Sequence, residues 1–194
     1  IRRQRQMCIR DRAYVKRLSS ERILYAEGRF APQYHTREGL TMHEAVDSML
    51  QGLKQGEETH GVRTNLIVCI GREATSEAGQ EVAKVALDFV GRGVVALDLA
   101  CNEKDFPPEG HLSAFQMTFD SYLRRTVHAG EGCLDKEQNL RNIRTAVELL
   151  RADGLGHAIH LPYSDTLLQE VKRKRIRVES NPVSNITLGY ISSI

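Results

Sequence analysis

Three residues in the second half of the chain have the types and spacing for hydrolytic chemistry. His128 and Glu131 stand three apart in "RRTVHAGEG" (Arg124 to Gly132), a run that begins like a β-strand, and His157 sits in the next such run, "GLGHAIH". A hydrolytic metal site needs an ion that lowers the pKa of a bound water towards neutrality. It also needs an acid/base group that moves protons to substrate and leaving group, and a second imidazole or carboxylate to orient the water. His128, Glu131 and His157 supply part of the first need, the second, and part of the third. One histidine does not hold a metal, so further ligands must come from elsewhere.

The elements that would position these residues follow from hydrophobic period. β-like runs are expected at Ile23–Ala31, Asn65–Gly71, Gly93–Ala100, Arg125–Ala129, Gly154–His160 and Ile176–Pro182. "GVVALDLA" is a near-continuous apolar run, as a parallel strand buried on both faces requires. Helical stripes lie between the runs. Met42, Val46, Met49, Leu50 and Leu53 follow a capping-box pattern, Thr41 with Glu44. Val82, Val85, Ala86 and Phe89 form the next stripe, then Leu112, Phe115, Phe119 and Tyr122, then Leu140, Ile143, Val147 and Leu150, and a last helix spans Ser164 to Lys174. Six strands alternating with helices predict an α/β fold with a parallel sheet. No G-x-G-x-x-G or G-x-x-x-x-G-K-[ST] is present, which disfavours a nucleotide-binding open sheet. Polar residues gather at the expected C-terminal strand ends: Arg29, Arg72, Asp98 with Glu103, His128 with Glu131, His157, and Glu179 with Asn185. That is where a (β/α)₈ barrel carries its chemistry, and the barrel is preferred.

Composition excludes more than it assigns. With 194 residues, 27% charged residues and a net charge of +2, nothing pulls the chain towards nucleic acid. No apolar run is long enough for a membrane span, and the N-terminus lacks a secretory pattern. Cys8, Cys69, Cys101 and Cys133 are widely spaced, without a C-x-x-C pair, which suits a reducing cytoplasmic location.

"YAEGRFAPQYHT", "VVALDLACNEKDFPPE", "TVHAGE", "GLGHAIHL" and "ESNPVSN" occur in the order and spacing of the adenosine deaminase family, and from about Arg22 to Gly189 the chain resembles its members. The resemblance implies a zinc-dependent (β/α)₈ TIM barrel that removes the amino group of a purine nucleoside. His128 is then the zinc ligand of the H-A-G-E motif, and Glu131 gives a proton to a purine ring nitrogen. His157 positions and helps activate the zinc-bound water. Cys101 occupies the position where the family has a glycine whose backbone N–H meets the purine. The resemblance also implies what is missing. No His-x-His strand precedes Ile23 and no Asp-Asp follows, so the barrel is read as truncated, with strands 2–7 present and strands 1 and 8 missing. The length agrees, since such barrels run to about 250 residues.

The fragment is accordingly expected to be inactive alone. Cys101 and an insertion at "GCLDKEQN" leave open a related purine substrate, and a non-catalytic barrel is the alternative of another class. Residues 1–21 are read as a basic tail without apolar period, foreign to the barrel, because "RQMCIRDR" resembles translated adaptor sequence. Residues 190–194 are read in the same way, leaving 22–189 as the barrel. His35, His43, His60 and His111 are expected at the surface, Asp98 as a buried hydrogen-bonding residue or a substrate contact, Cys69 in the core, and "KRKRIR" (Lys172 to Arg177) as helix-terminal charge.

Overall fold

The computed structural model describes residues 2–132 and 135–193. Six parallel strands form one sheet in chain order: β1 (Tyr25–Phe30), β2 (Arg63–Gly71), β3 (Val94–Ala100), β4 (Arg124–Ala129), β5 (Gly154–His157) and β6 (Arg177–Glu179). Between them run α2 (Met42–His60), α3 (Ser76–Asp88), the short α4 (Leu112–Gln116), α5 (Lys136–Glu148) and α6 (Asp165–Arg173). Helix α1 (Arg2–Ser20) precedes the sheet and α7 (Pro182–Thr187) follows it. The architecture is a curled, half-barrel α/β fold with six parallel strands.

Local chemistry sets the element ends. At α2 the Thr41 hydroxyl accepts from Glu44 N–H at 3.1 Å, while the Glu44 carboxylate accepts from Thr41 N–H at 2.9 Å. The same helix stops at Gly61, whose φ of +72° is the left-handed cap that an L side chain resists. Thr75, Asp135 and Ser164 cap α3, α5 and α6 through their own side chains.

Strand alternation divides the core in two. Leu66, Val68, Ile70, Leu97, Leu99, Val127 and Leu155 point out to the helices and, with Val82, Phe89, Phe115, Ile143 and Val147, make the main hydrophobic layer. The opposite, inner face holds a small apolar cluster of Ile67, Cys69 and Ala96. In-register neighbours extend that face as Cys69–Asp98–Thr126 and His128–Gly156–Glu179. Strands β1 and β6 share no ladder among the described residues. They lie close enough for Arg29 Nη2 to reach Glu179 Oε2 at 2.8 Å, which measures how far the sheet has curled.

Several expectations need correction. The segment read as an unpatterned basic tail forms α1, which buries Val15, Leu18 and Asp11 against α2. The contact relies on close approach over small residues rather than on a wide apolar stripe: a Cβ built on Gly56 would lie 2.6 Å from Val15 Cβ. Sequence period had little to register there. At the other end Tyr190 N–H returns to the Asn185 carbonyl at 2.8 Å, and Tyr190 lies against Gly132. The helix expected to reach Tyr122 ends at Gln116, leaving Tyr122 95% exposed. The strand expected to reach His160 ends at His157, where His157 and Ala158 take positive φ and break the ladder. Of the proposed insertion, Cys133 and Leu134 lie outside the described residues, Asp135 caps α5, and Lys136 to Asn139 form its first turn.

Candidate active site

The polar strand ends converge into one connected set. Asp98, fully buried on β3, accepts from His128 Nδ1 at 3.2 Å, and Arg29 Nη1 lies 3.6 Å from its other oxygen. Arg29 in turn holds Glu179, so charge runs Glu179–Arg29–Asp98–His128 across the inner face. With Nδ1–H given to a carboxylate, neutral His128 keeps a lone pair on Nε2. That is the orientation a metal-ligating imidazole takes when a carboxylate stands behind it. Burial works against a charged ring at His128. The Asp98 carboxylate, through charge and hydrogen bond, outweighs that burial, so the pKa is raised above the ordinary imidazole value.

His157 ends β5 beside His128, with ring centroids 5.5 Å apart. Its Nδ1 lies 2.7 Å from Asn185 Oδ1, supplied by α7, and its Nε2 lies 3.3 Å from Glu131 Oε1. An amide oxygen only accepts, so Nδ1 carries hydrogen and Nε2 faces the carboxylate. Glu131 and His157 can therefore share and pass one proton. Both are largely buried, with side chains 16% and 5% exposed, which keeps bulk water from competing for it.

The turn that carries Glu131 is gripped from two sides. Glu103, 1% exposed, accepts from Gly130 N–H at 2.8 Å and from Glu131 N–H at 2.9 Å, and Asn142 Nδ2 donates to it at 2.8 Å. Arg72, also 1% exposed, donates to the His128 and Phe106 carbonyls. Burial lowers the Arg72 pKa against the pull of Glu103 and Asp98. His111, expected at the surface, is 2% exposed with Nε2 3.0 Å from the Arg72 carbonyl. Its place behind the site, between α3 and α4, explains the correction.

Cys101 lies at the end of β3 with φ +82°, a conformation that favours glycine. The residue lies at the surface with its sulfur partly covered, 3.9 Å from the Tyr34 hydroxyl, which also meets Glu73 at 3.2 Å. Burial, then the Glu73 charge, raises the Cys101 pKa, so it is not an activated thiol. Cys69 is in the core as expected, with its pKa well up through burial and the Asp98 charge. Lys174 and Arg177, from the basic run, pair with Glu170 and Glu179.

The structure thus brings His128, Glu131 and His157 together and sets Cys101 at the rim by Tyr34. Sequence reasoning did not single out Tyr34, Glu73 or Asn142. Among the described residues no group of three His, Cys, Asp or Glu is arranged to hold a metal ion, and His128 offers one imidazole. The described residues by themselves do not make a metal site. No helix among them is long and apolar enough to cross a membrane.

The model of the family described as Adenosine deaminase matches residues 3–194. An adenosine deaminase of Clostridium kluyveri is 37% identical over 173 residues, 89% of this chain and 48% of that protein. The N6-methyl-AMP deaminase of Arabidopsis thaliana superposes with a TM-score of 0.84 at 28% identity, covering 98% of this chain and 56% of that one. A Burkholderia ambifaria amidohydrolase solved with bound Zn shares the fold, with a TM-score of 0.87 at 21% identity over 97% of this chain and 51% of that one. The chain spans about half the length of the curated relatives it matches. By the extent of these matches, the chain belongs to the adenosine deaminase family.

Proposed function

We propose that the chain is the greater part of a barrel that hydrolytically deaminates adenosine, or a related 6-aminopurine, within a longer protein. The observation that carries this reading is the Glu131–His157 pair at 3.3 Å beside His128. Glu131, protonated, donates to a purine ring nitrogen and makes the amino-bearing carbon electrophilic. His157, fixed by Asn185, takes a proton from the attacking water. His157 passes that proton to the amino group, the C–N bond breaks to release ammonia, and the added hydroxyl returns its proton to Glu131 as the carbonyl of the 6-oxopurine forms.

In a longer protein His128 would be one ligand to a single zinc ion, with the other ligands coming from residues outside this chain. When bound, zinc would supply the positive charge that eases ionisation of a water beside His128. The 194-residue chain alone is accordingly expected to bind no zinc tightly and to deaminate nothing.

Cys101 favours a second reading of the substrate. At φ +82° it puts a side chain, close to Tyr34, where glycine leaves room, so a differently substituted aminopurine is the alternative to adenosine. The test is ammonia release by the complete reading frame containing this segment, with adenosine, adenine and N6-methylated substrates. Turnover of adenosine supports the first reading, and turnover confined to the others supports the second. Failure with all of them, in a zinc-loaded protein, leaves a non-catalytic barrel.

A further inference from the structure

We propose that Glu103 is a positioning residue that holds the Glu131 carboxyl in register with His157. This rests on the reading of Glu131 as the proton carrier. Gly130 has φ +67°, and in that left-handed turn its N–H and the next one converge on the same side. Successive N–H groups arranged so form an anion-binding nest. Here the chain supplies its own anion: the two Glu103 oxygens take one N–H each, at 2.8 and 2.9 Å. Asn142 on α5 fixes the first oxygen, so the nest is tied to the helical layer. Arg72 holds the His128 carbonyl from the other side. The backbone from His128 to Glu131 is thus pinned at both ends, and the Glu131 side chain leaves from a residue whose own N–H is held. Freeing it would let the carboxyl drift from His157, and misplacement by about 1 Å costs on the order of 100-fold in rate.

Glutamine keeps the volume of Glu103 but turns one acceptor into a donor facing an N–H. The test pairs two measurements on Glu103→Gln. In the 194-residue chain, amide exchange at Gly130 and Glu131 should accelerate at least about tenfold, while Val127 and Ile143 exchange as before. In the longer protein, kcat should fall about 10- to 100-fold with KM within about threefold, the signature of lost alignment rather than lost binding. If Glu103→Gln fails to fold, Asn142→Ala removes only the anchor and should shift both readouts the same way, by about three- to tenfold. Unchanged exchange at both amides, or a loss carried entirely by KM, overturns the proposal. If the wild-type longer protein releases no ammonia, the functional reading fails instead, and the exchange measurement alone decides whether Glu103 holds the turn.

Discussion

Three glycine-to-alanine substitutions separate the conformational and steric demands on the turn that carries Glu131. A Cβ built on Gly110 meets nothing within 4 Å and needs no unusual backbone, so Gly110→Ala should change stability by less than about 0.5 kcal/mol. Gly61 also has free space but sits at φ +72°, and Gly61→Ala should cost about 1 kcal/mol from backbone strain alone. Gly130 adds a clash to a similar φ of +67°: its built Cβ lies 2.5 Å from Ile143 Cδ1 and 2.8 Å from Cγ1. Overpacking of this kind costs about 1–3 kcal/mol, so Gly130→Ala should lose about 2–4 kcal/mol in total. Urea unfolding followed by circular dichroism reads the difference; with a slope of about 2 kcal/mol per molar, a 3 kcal/mol loss moves the midpoint by about 1.5 M. Ile143→Val removes Cδ1 and should make the double variant about 1 kcal/mol less damaged than the sum of the singles. Equal costs for Gly130→Ala and Gly61→Ala would refute the clash. A cost below about 0.5 kcal/mol at Gly130 would refute the left-handed turn itself, and the nest for Glu103 with it.

Other consequences follow from the same packing. Val15 is fully buried against Gly56, so Val15→Ala should cost about 2 kcal/mol in urea unfolding; a neutral result would mean that α1 does not pack on α2. Thr41→Ala removes the α2 cap and should cost about 1 kcal/mol. The Thr41 N–H, then its hydroxyl, lower the Glu44 pKa, so Glu44 contributes stability above the ordinary glutamate pKa and loses it as pH falls through the depressed value. The stability gap between wild type and Glu44→Gln should therefore close on acidification, and a gap constant with pH would contradict the cap geometry. Glu179→Gln removes the pair that spans the sheet opening and should cost about 1 kcal/mol, less in 1 M salt since Arg29 and Glu179 are partly exposed.

Most of the frame was legible in the sequence because strands buried on both faces leave near-continuous apolar runs, as in β3, and strong caps such as Thr41 with Glu44 mark helix starts. Asp98 was legible because it stands alone among apolar residues in "GVVALDLA", whereas Arg29 and Glu179 sit in runs that carry other polar residues and showed only by their place at the strand ends. Their pairing was not legible, since Arg29 and Glu179 are 150 residues apart and meet only because the sheet curls. Helix α1 was missed because its packing depends on glycines in α2, and His111 because a histidine bound to a carbonyl looks in sequence like one in water. The H-A-G-E glycine showed its purpose only with the backbone in view, where its φ turns two N–H groups onto Glu103.

The proposed role of Glu131 is to give its proton to the purine ring. The most direct measurement is the rate of ammonia release from saturating adenosine by the longer protein, wild type against Glu131→Gln. With Glu131 in that role kcat should fall at least about 100-fold, with KM changed by less than about threefold. A Glu131→Gln protein that turns over within about twofold of wild type would contradict that role.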